Sequence, residues 1–296
     1  MMKLWLRRHL SALVALSPAL LIVLVVYVGC TIWSVRISLT DSHILPSDHY
    51  VGLHNYVRLL NTDRWNTSVG NLVFFGFMFI IASLVIGTLM AILMDQRIKG
   101  EALFRTIYLY PLAMSFIVTG LIWEWILQPT LGIQKMMRNF GFAHFHFDWI
   151  NHSSTVLYTV AMAAVWQASG LVMAIMLAGL RGVDDEIWKA ARIEGISPVR
   201  TYASIVLPML GGAIATVTVL LALTVVRLFD LIIAMTGGGP GNASEVPAKF
   251  IYDYLFDHQD IGLATAASTL MLGFVLLFIG PWQIWQWRRD VKGAAR

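Results

Sequence analysis

The sequence predicts an all-α integral membrane protein with six transmembrane helices. Three observations carry that prediction. Apolar types make up 58% of the 296 residues and charged types 13%, about half the charge of a soluble domain. Six nearly uncharged stretches reach the roughly 20 residues that a spanning helix needs. Lys and Arg gather in alternate connections between those stretches, which fixes an orientation. So few charges cannot cover a water-soluble globule of this size. A cytoplasmic enzyme, a nucleic-acid-binding domain and a disordered regulator are therefore excluded.

The first span lies near 10–33, behind Lys3, Arg7 and Arg8. Its apolar core is too long for a signal peptide and no small-x-small cleavage site follows, so it is read as uncleaved. The second lies near 71–94, the third near 106–128 with Glu124 inside it, and the fourth near 153–180. The fifth, near 207–233, starts at Pro208 and contains Arg227 and Asp230; the sixth lies near 262–286. All belong to one transmembrane domain, 1–296. With the N-terminus inside, 14 of the 21 Lys and Arg fall on inner segments and six on outer ones, with Arg227 within a span. Both termini then face the cytoplasm. The net charge of +4 is a topology signal, not a nucleic-acid patch. Cys30 is the single cysteine, so no disulfide and no thiolate metal cluster forms within the chain. Of the histidines in outer loops only His144 and His146 are close in sequence, and no metal site is expected.

The inner connection between the fourth and fifth spans, 181–206, is the most charged stretch and too long for a plain connector. Asp184 or Asp185 suits an N-cap, and Glu186 adds negative charge to the first helical turn. Ile187, Ala190 and Ala191 fall on one face, and Gly195 is placed to end the helix in the left-handed conformation. Ser197 and Pro198 signal a second helix, which Tyr202, Ile205 and Val206 carry towards Pro208. Local physics allows two uses for such a helix pair. It fits a groove on another protein, or it lies flat on the membrane.

Lys189-Ala190-Ala191, then Glu194-Gly195, then Ile205-Val206-Leu207-Pro208 resembles the EAA signature of ABC importer permeases. Lys189 departs from the signature's opening Glu, and Glu186 one turn earlier offers a substitute carboxylate. Val51-Gly52-Leu53-His54-Asn55-Tyr56 is similar to an element of the maltose and glycerol-phosphate type of carbohydrate permease. So are Phe104-Arg105-Thr106-Ile107-Tyr108 with Pro111, Trp123-Glu124-Trp125, and Phe229-Asp230 followed by Thr236-Gly237-Gly238-Gly239-Pro240. The resemblance implies the ABC importer permease fold, with 181–206 as cytoplasmic coupling helices. It assigns ATPase coupling to Asp185, Glu186, Lys189, Ala190, Ala191, Arg192, Glu194, Gly195, Ile205 and Pro208. The implied partners are a second homologous permease, two ATPase subunits, an extracytoplasmic sugar-binding protein and the lipid bilayer. The implied place is the bacterial inner membrane, and a glucose or mannose system is one candidate. The chain lacks G-x-x-x-x-G-K-[ST]. It is therefore expected to be no enzyme and to hold no cofactor, with ATP and magnesium on the ATPase.

Candidates for the substrate path are Trp166, Gln167 and Ser169 in the fourth span, and Arg227 and Asp230 in the fifth. Indole faces stack on sugar rings and amides bond their hydroxyls; packing between helices uses the same residues. Arg227 and Asp230, three apart, suit an ion pair on one helical face. Glu124 between Trp123 and Trp125 reads as part of an interfacial girdle. An alternative function is a self-sufficient secondary transporter that couples ions through Asp230 and Glu124.

Overall fold

The computed structural model describes residues 14–96 and 99–294. Lys3, Arg7, Arg8, Arg97 and Arg296, part of the orientation count, and the first residues of the predicted first span lie outside the described residues. The described chain is helical, with two isolated bridges, Thr40 to Tyr50 and His43 to Leu45. Three helices are long and apolar enough to cross a membrane: α1 (Val14–Ser38), α3 (Asp63–Asp95) and α7 (Val156–Arg181). Two bent pairs raise that to five if each pair is one span. The first pair is α4 (Glu101–Leu109), extended by a 3-10 turn to Ala113, with α5 (Phe116–Leu127), at 102°. The second is α9 (Pro198–Met209) with α10 (Gly211–Val226), at 73°. Short helices α2 (His54–Leu60), α6 (Ile133–Asn139), α8 (Asp185–Ile193), α11 (Asp230–Met235) and α12 (Pro247–Phe256) fill the connections. The last helix, α13, is Ile261–Ala294.

Two predicted spans are thus not continuous helices. In the third, Pro111 sits in the tight turn Tyr110–Ala113 and Met114 is extended at ψ 148°. A proline lacks the N–H that would continue the ladder. Ser115 restarts the helix, its hydroxyl accepting from the Val118 N–H at 3.3 Å. In the fifth, the chain bends at Leu210 just after Pro208, and breaks again at Arg227 to Phe229, where Phe229 takes φ −129° and ψ −58°. The second predicted span starts earlier than its apolar core, at Asp63.

The described residues form two compact units: 14–63 with 250–294, and 64–96 with 99–249. In the first unit α13 packs along α1 and α2. Buried Asn55 donates to the carbonyls of Ser38 and Thr40, each at 2.9 Å, so the segment leaving α1 keeps its backbone groups satisfied. Asp260 caps α13, accepting from the Leu263 N–H at 3.0 Å, and pairs with Arg58 at 2.7 Å.

In the second unit α7 is the central helix. Val160, Val172, Met173 and Met176 are fully buried there, among small residues such as Ala163, Ala164 and Ala168. Small residues let helix backbones approach, which is how helices associate where water offers no drive. The α7 backbone meets the Tyr108 carbonyl at Gly170, where a side chain has no room. Gly120 of α5 faces Ala234 of α11 in the same manner.

Candidate coupling loop and transport path

The turn between α7 and α9 is built from local signals. The Asp184 carboxylate accepts from the Glu186 N–H at 3.0 Å, so Asp184 rather than Asp185 is the cap of α8. At the other end the Gly195 N–H donates to the Arg192 carbonyl and the Ile196 N–H to the Ala191 carbonyl, at 3.1 and 3.0 Å. Gly195 has φ +69°. This is the two-bond left-handed cap that a glycine permits. Ser197 is extended and Pro198 opens α9, so two helices project from one sharp turn.

Two rings hold this hairpin to the bundle. Trp188 meets Tyr202 edge to face at 5.0 Å. The Tyr202 hydroxyl donates to Asp95, the last residue of α3, at 2.9 Å. Burial, and then the Asp95 carboxylate, push the Tyr202 phenol up to about 12, so it stays a donor at neutral pH. Beside it Glu101 accepts from Arg181 at 2.8 Å and from Arg105 at 2.5 Å. The Arg181 hydrogen bond holds the Glu101 carboxyl below the usual carboxylate range, with Arg105 adding to it. The C-terminal ends of α3 and α7 and the N-terminal ends of α4 and α9 are thereby joined around a cavity of about 870 Å³ that Asp185, Lys189 and Arg192 also line.

The side chains of α8 do not divide as the pattern suggests. Ala191 is buried, Ile187 is half-buried and Ala190 is exposed, so the three share no single environment. A 100° step per residue carries adjacent alanines to different sides. Asp185, Glu186, Lys189, Arg192 and Glu194 are exposed. Of the later residues Ile205 is half-buried and Pro208 exposed. The most exposed apolar groups flank the turn: Ile193 at 87% and Val199 at 80%. Sequence reading did not single out either.

The path candidates separate. Trp166 is half-buried, edge to face with Trp123 at 5.9 Å, and with Ser169 it lines an apolar cavity of about 420 Å³ between α3, α5 and α7. Ser169 bonds its hydroxyl to the Trp166 carbonyl of its own helix at 3.2 Å. Gln167 points elsewhere: its amide donates to the Met114 carbonyl at 2.7 Å, at the break between α4 and α5. Gln167 therefore stabilises a bend. Arg227 and Asp230 flank the break between α10 and α11 and are exposed; among the described residues they form no ion pair, because no continuous helix holds them on one face.

Near the C-terminal end of α5, three neighbouring side chains diverge. Trp123 faces the apolar cavity, Trp125 is 63% exposed, and Glu124 lines a second cavity of about 480 Å³. The glycine-rich segment from Thr236 to Pro240 forms one wall of it. That wall is fixed by a network absent from any local sequence pattern. Buried Glu245 accepts two bonds from Arg64 Nε, at 3.0 and 2.9 Å, and one from Ser68 at 3.1 Å. Asn71 donates to the carbonyls of Asn242 and Glu245 at 3.1 and 2.9 Å, and Ser244 to the Gly239 carbonyl at 2.7 Å. Arg64 and Glu245 lie 181 residues apart, so only the fold brings them together.

Residues 83–283 match the family described as binding-protein-dependent transport system inner membrane component. The chain is 32% identical to a probable ABC transporter permease protein of Pyrococcus horikoshii, over 94% of this chain and 96% of the relative. It is 31% identical to the xylose/arabinose import permease protein XacH of Haloferax volcanii, over 92% and 86%. A solved bacterial ABC transporter involved in the import of the acidic polysaccharide alginate contains a chain of the same fold. It superposes with a TM-score of 0.79 at 16% identity, covering 93% of this chain and 96% of that one.

Proposed function

Because this chain belongs to the binding-protein-dependent transport system inner membrane components and is the permease subunit of an ABC importer, we propose that it carries half of a sugar pathway driven by a separate ATPase. The single observation that supports coupling is the helix pair at 184–208, turned at Gly195 with φ +69° and presenting Ile193 and Val199 outward. A groove on an ATPase subunit would take up those two side chains. Asp185, Glu186, Lys189, Ala190, Ala191, Arg192, Glu194, Gly195, Ile205 and Pro208 make up or adjoin that projection. Movement of the pair would reach the inner ends of α3, α4 and α7 through Tyr202, Asp95, Glu101 and Arg181.

The proposed arrangement has six spans, the two bent pairs and α13 joining the three long helices, in one permease domain with both termini inside. A second homologous permease, two ATPase subunits holding ATP and magnesium, and a binding protein complete it. Sugar cargo is supported by relatives named for xylose and arabinose, trehalose and maltose, and glucose. A chain of the same fold occurs in an alginate transporter solved with a periplasmic protein bound to alginate pentasaccharide. Trp166, Ser169, Arg227 and Asp230 are the residues proposed to face the path, and Gln167 to shape it. With the chain an importer permease, Asp230 and Glu124 are not required as ion-coupling acids.

The test is uptake of labelled sugars by the complete complex in proteoliposomes, with binding protein outside and ATP inside. ATP-dependent uptake of a sugar supports the reading. Uptake that follows an ion gradient without ATP sinks it.

A further inference from the structure

The outer cavity beside Glu124 has features that the coupling account does not use. Its volume, about 480 Å³, is that of a small-molecule site. Glu124 brings the single ionisable side chain of its lining, with no basic residue opposite. Among the described residues no hydrogen-bond donor or ion-pair partner meets that carboxylate. α5, twelve residues long, ends at Leu127, next to Gln128 in the lining. A helix C-terminus carries partial negative charge. Carboxylate and helix end together make a cavity that accepts hydrogen bonds and repels anions.

The rest of the lining is mixed. Thr130 and Asn151 offer further hydrogen-bonding groups, and Ile150, Ile233 and Pro240 offer apolar surface, while the Thr236 hydroxyl is engaged by Ile232, Gly238 and Ser244. A sugar has both faces: hydroxyls that donate at its rim and C–H groups that pack on apolar walls. The wall is also preorganised, since the pair of Arg64 with buried Glu245 and the Ser244 bond to Gly239 fix the glycine segment. A fixed wall lowers the ordering cost of binding.

We propose that this cavity is an outer subsite for uncharged, hydroxyl-rich sugars, and that Glu124 makes it reject sugars bearing a carboxylate. The inference rests on the sugar-importer reading and names the substrate class of that path. Vicinal hydroxyls donate to Glu124; a uronate brings a second negative charge into the same space and is excluded.

The test uses the complete importer with Cys30→Ser and a reporter cysteine at Thr130→Cys, repeated with Asn151→Cys. The rate of modification by a membrane-impermeant thiol reagent is measured with and without glucose, xylose or maltose, whichever uptake assays show to be transported, and with glucuronate. The transported neutral sugar should slow modification several-fold, and glucuronate should not. Glu124→Gln keeps the shape and removes the charge. It should raise the sugar concentration for half-protection roughly tenfold, the loss expected for hydrogen bonds to a charged acceptor. No protection by a sugar that the complex transports overturns the subsite, as does equal protection by glucuronate. Unchanged protection in Glu124→Gln also overturns it. Failure of the sugar reading shows separately, as an importer that takes up none of the sugars.

Discussion

The Tyr202 hydroxyl reaches the Asp95 carboxylate at 2.9 Å, joining the helix that follows the turn at Gly195 to the last residue of α3. The sequence separation is 107 residues, and in the proposed coupling the contact links the turn to the bundle. Tyr202→Phe keeps the ring against Trp188 and removes the bond. It should cost about 1 kcal/mol of stability and lower transport more than ATPase activity. The ratio of sugar moved to ATP hydrolysed is the measurement; an unchanged ratio would place Tyr202 outside the coupling route.

Gly195 tests the turn itself. A β-carbon there meets nothing within 4 Å, so the cost of substitution comes from φ +69° alone. Gly195→Asn should be tolerated, and Gly195→Val should cost about 1 kcal/mol or more locally and weaken capture of the ATPase. Equal co-purification of ATPase with both variants would contradict the assigned geometry.

Trp166 and Gln167 should respond differently. Gln167→Leu leaves the Met114 carbonyl unpaired inside the bundle and should cost about 1–3 kcal/mol of stability. Trp166→Leu keeps much of the apolar contact with Trp123. If the ring stacks on sugar, that variant assembles normally but transports poorly. Full transport by Trp166→Leu would leave only the packing role.

Glu245→Ala removes the carboxylate that Arg64 and Ser68 bond, in a site where that carboxylate is 3% exposed and the guanidinium 23% exposed. The loss should be about 3 kcal/mol, read as a lower melting temperature of the purified complex. The double variant with Arg64→Ala should recover part of it; two independent, additive losses would show that the pair is not a unit.

The acid side of the pH profile should report Glu101. Its folded pKa lies below the ordinary value, so the Arg181 link stabilises fully above the unfolded pKa of about 4.3. The link is lost as pH falls through the lower folded value. Glu101→Gln should therefore melt earlier than the parent at pH 7, with the gap closing as the pH falls below 4. A constant gap across that range would deny the link any role in stability.

Legibility in the sequence followed the range of the interaction. The cap at Asp184, the left-handed Gly195 and the opening at Pro198 depend on neighbours within a few residues, and the residue types alone pointed to them. The apolar runs were legible because a lipid solvent demands them. The breaks at Met114 and Arg227 were not: an apolar run continues through the first, and at the second Arg227 and Asp230 have the spacing of a paired helical face. They depend on partners elsewhere in the fold, such as Gln167 for Met114 and the packing of α11 along α5. The Arg64–Glu245 pair and the turn of Glu124 into a cavity arise only from tertiary placement.

In the proposed assembly the turn at Gly195 is seated on an ATPase. A photo-crosslinking residue at Ile193, 87% exposed in this subunit, probes that contact in the complete complex. The expected result is one dominant adduct, to a subunit carrying a G-x-x-x-x-G-K-[ST] loop, with a yield that changes when ATP is added. An adduct to lipid, or none, in a complex that still imports sugar would contradict it.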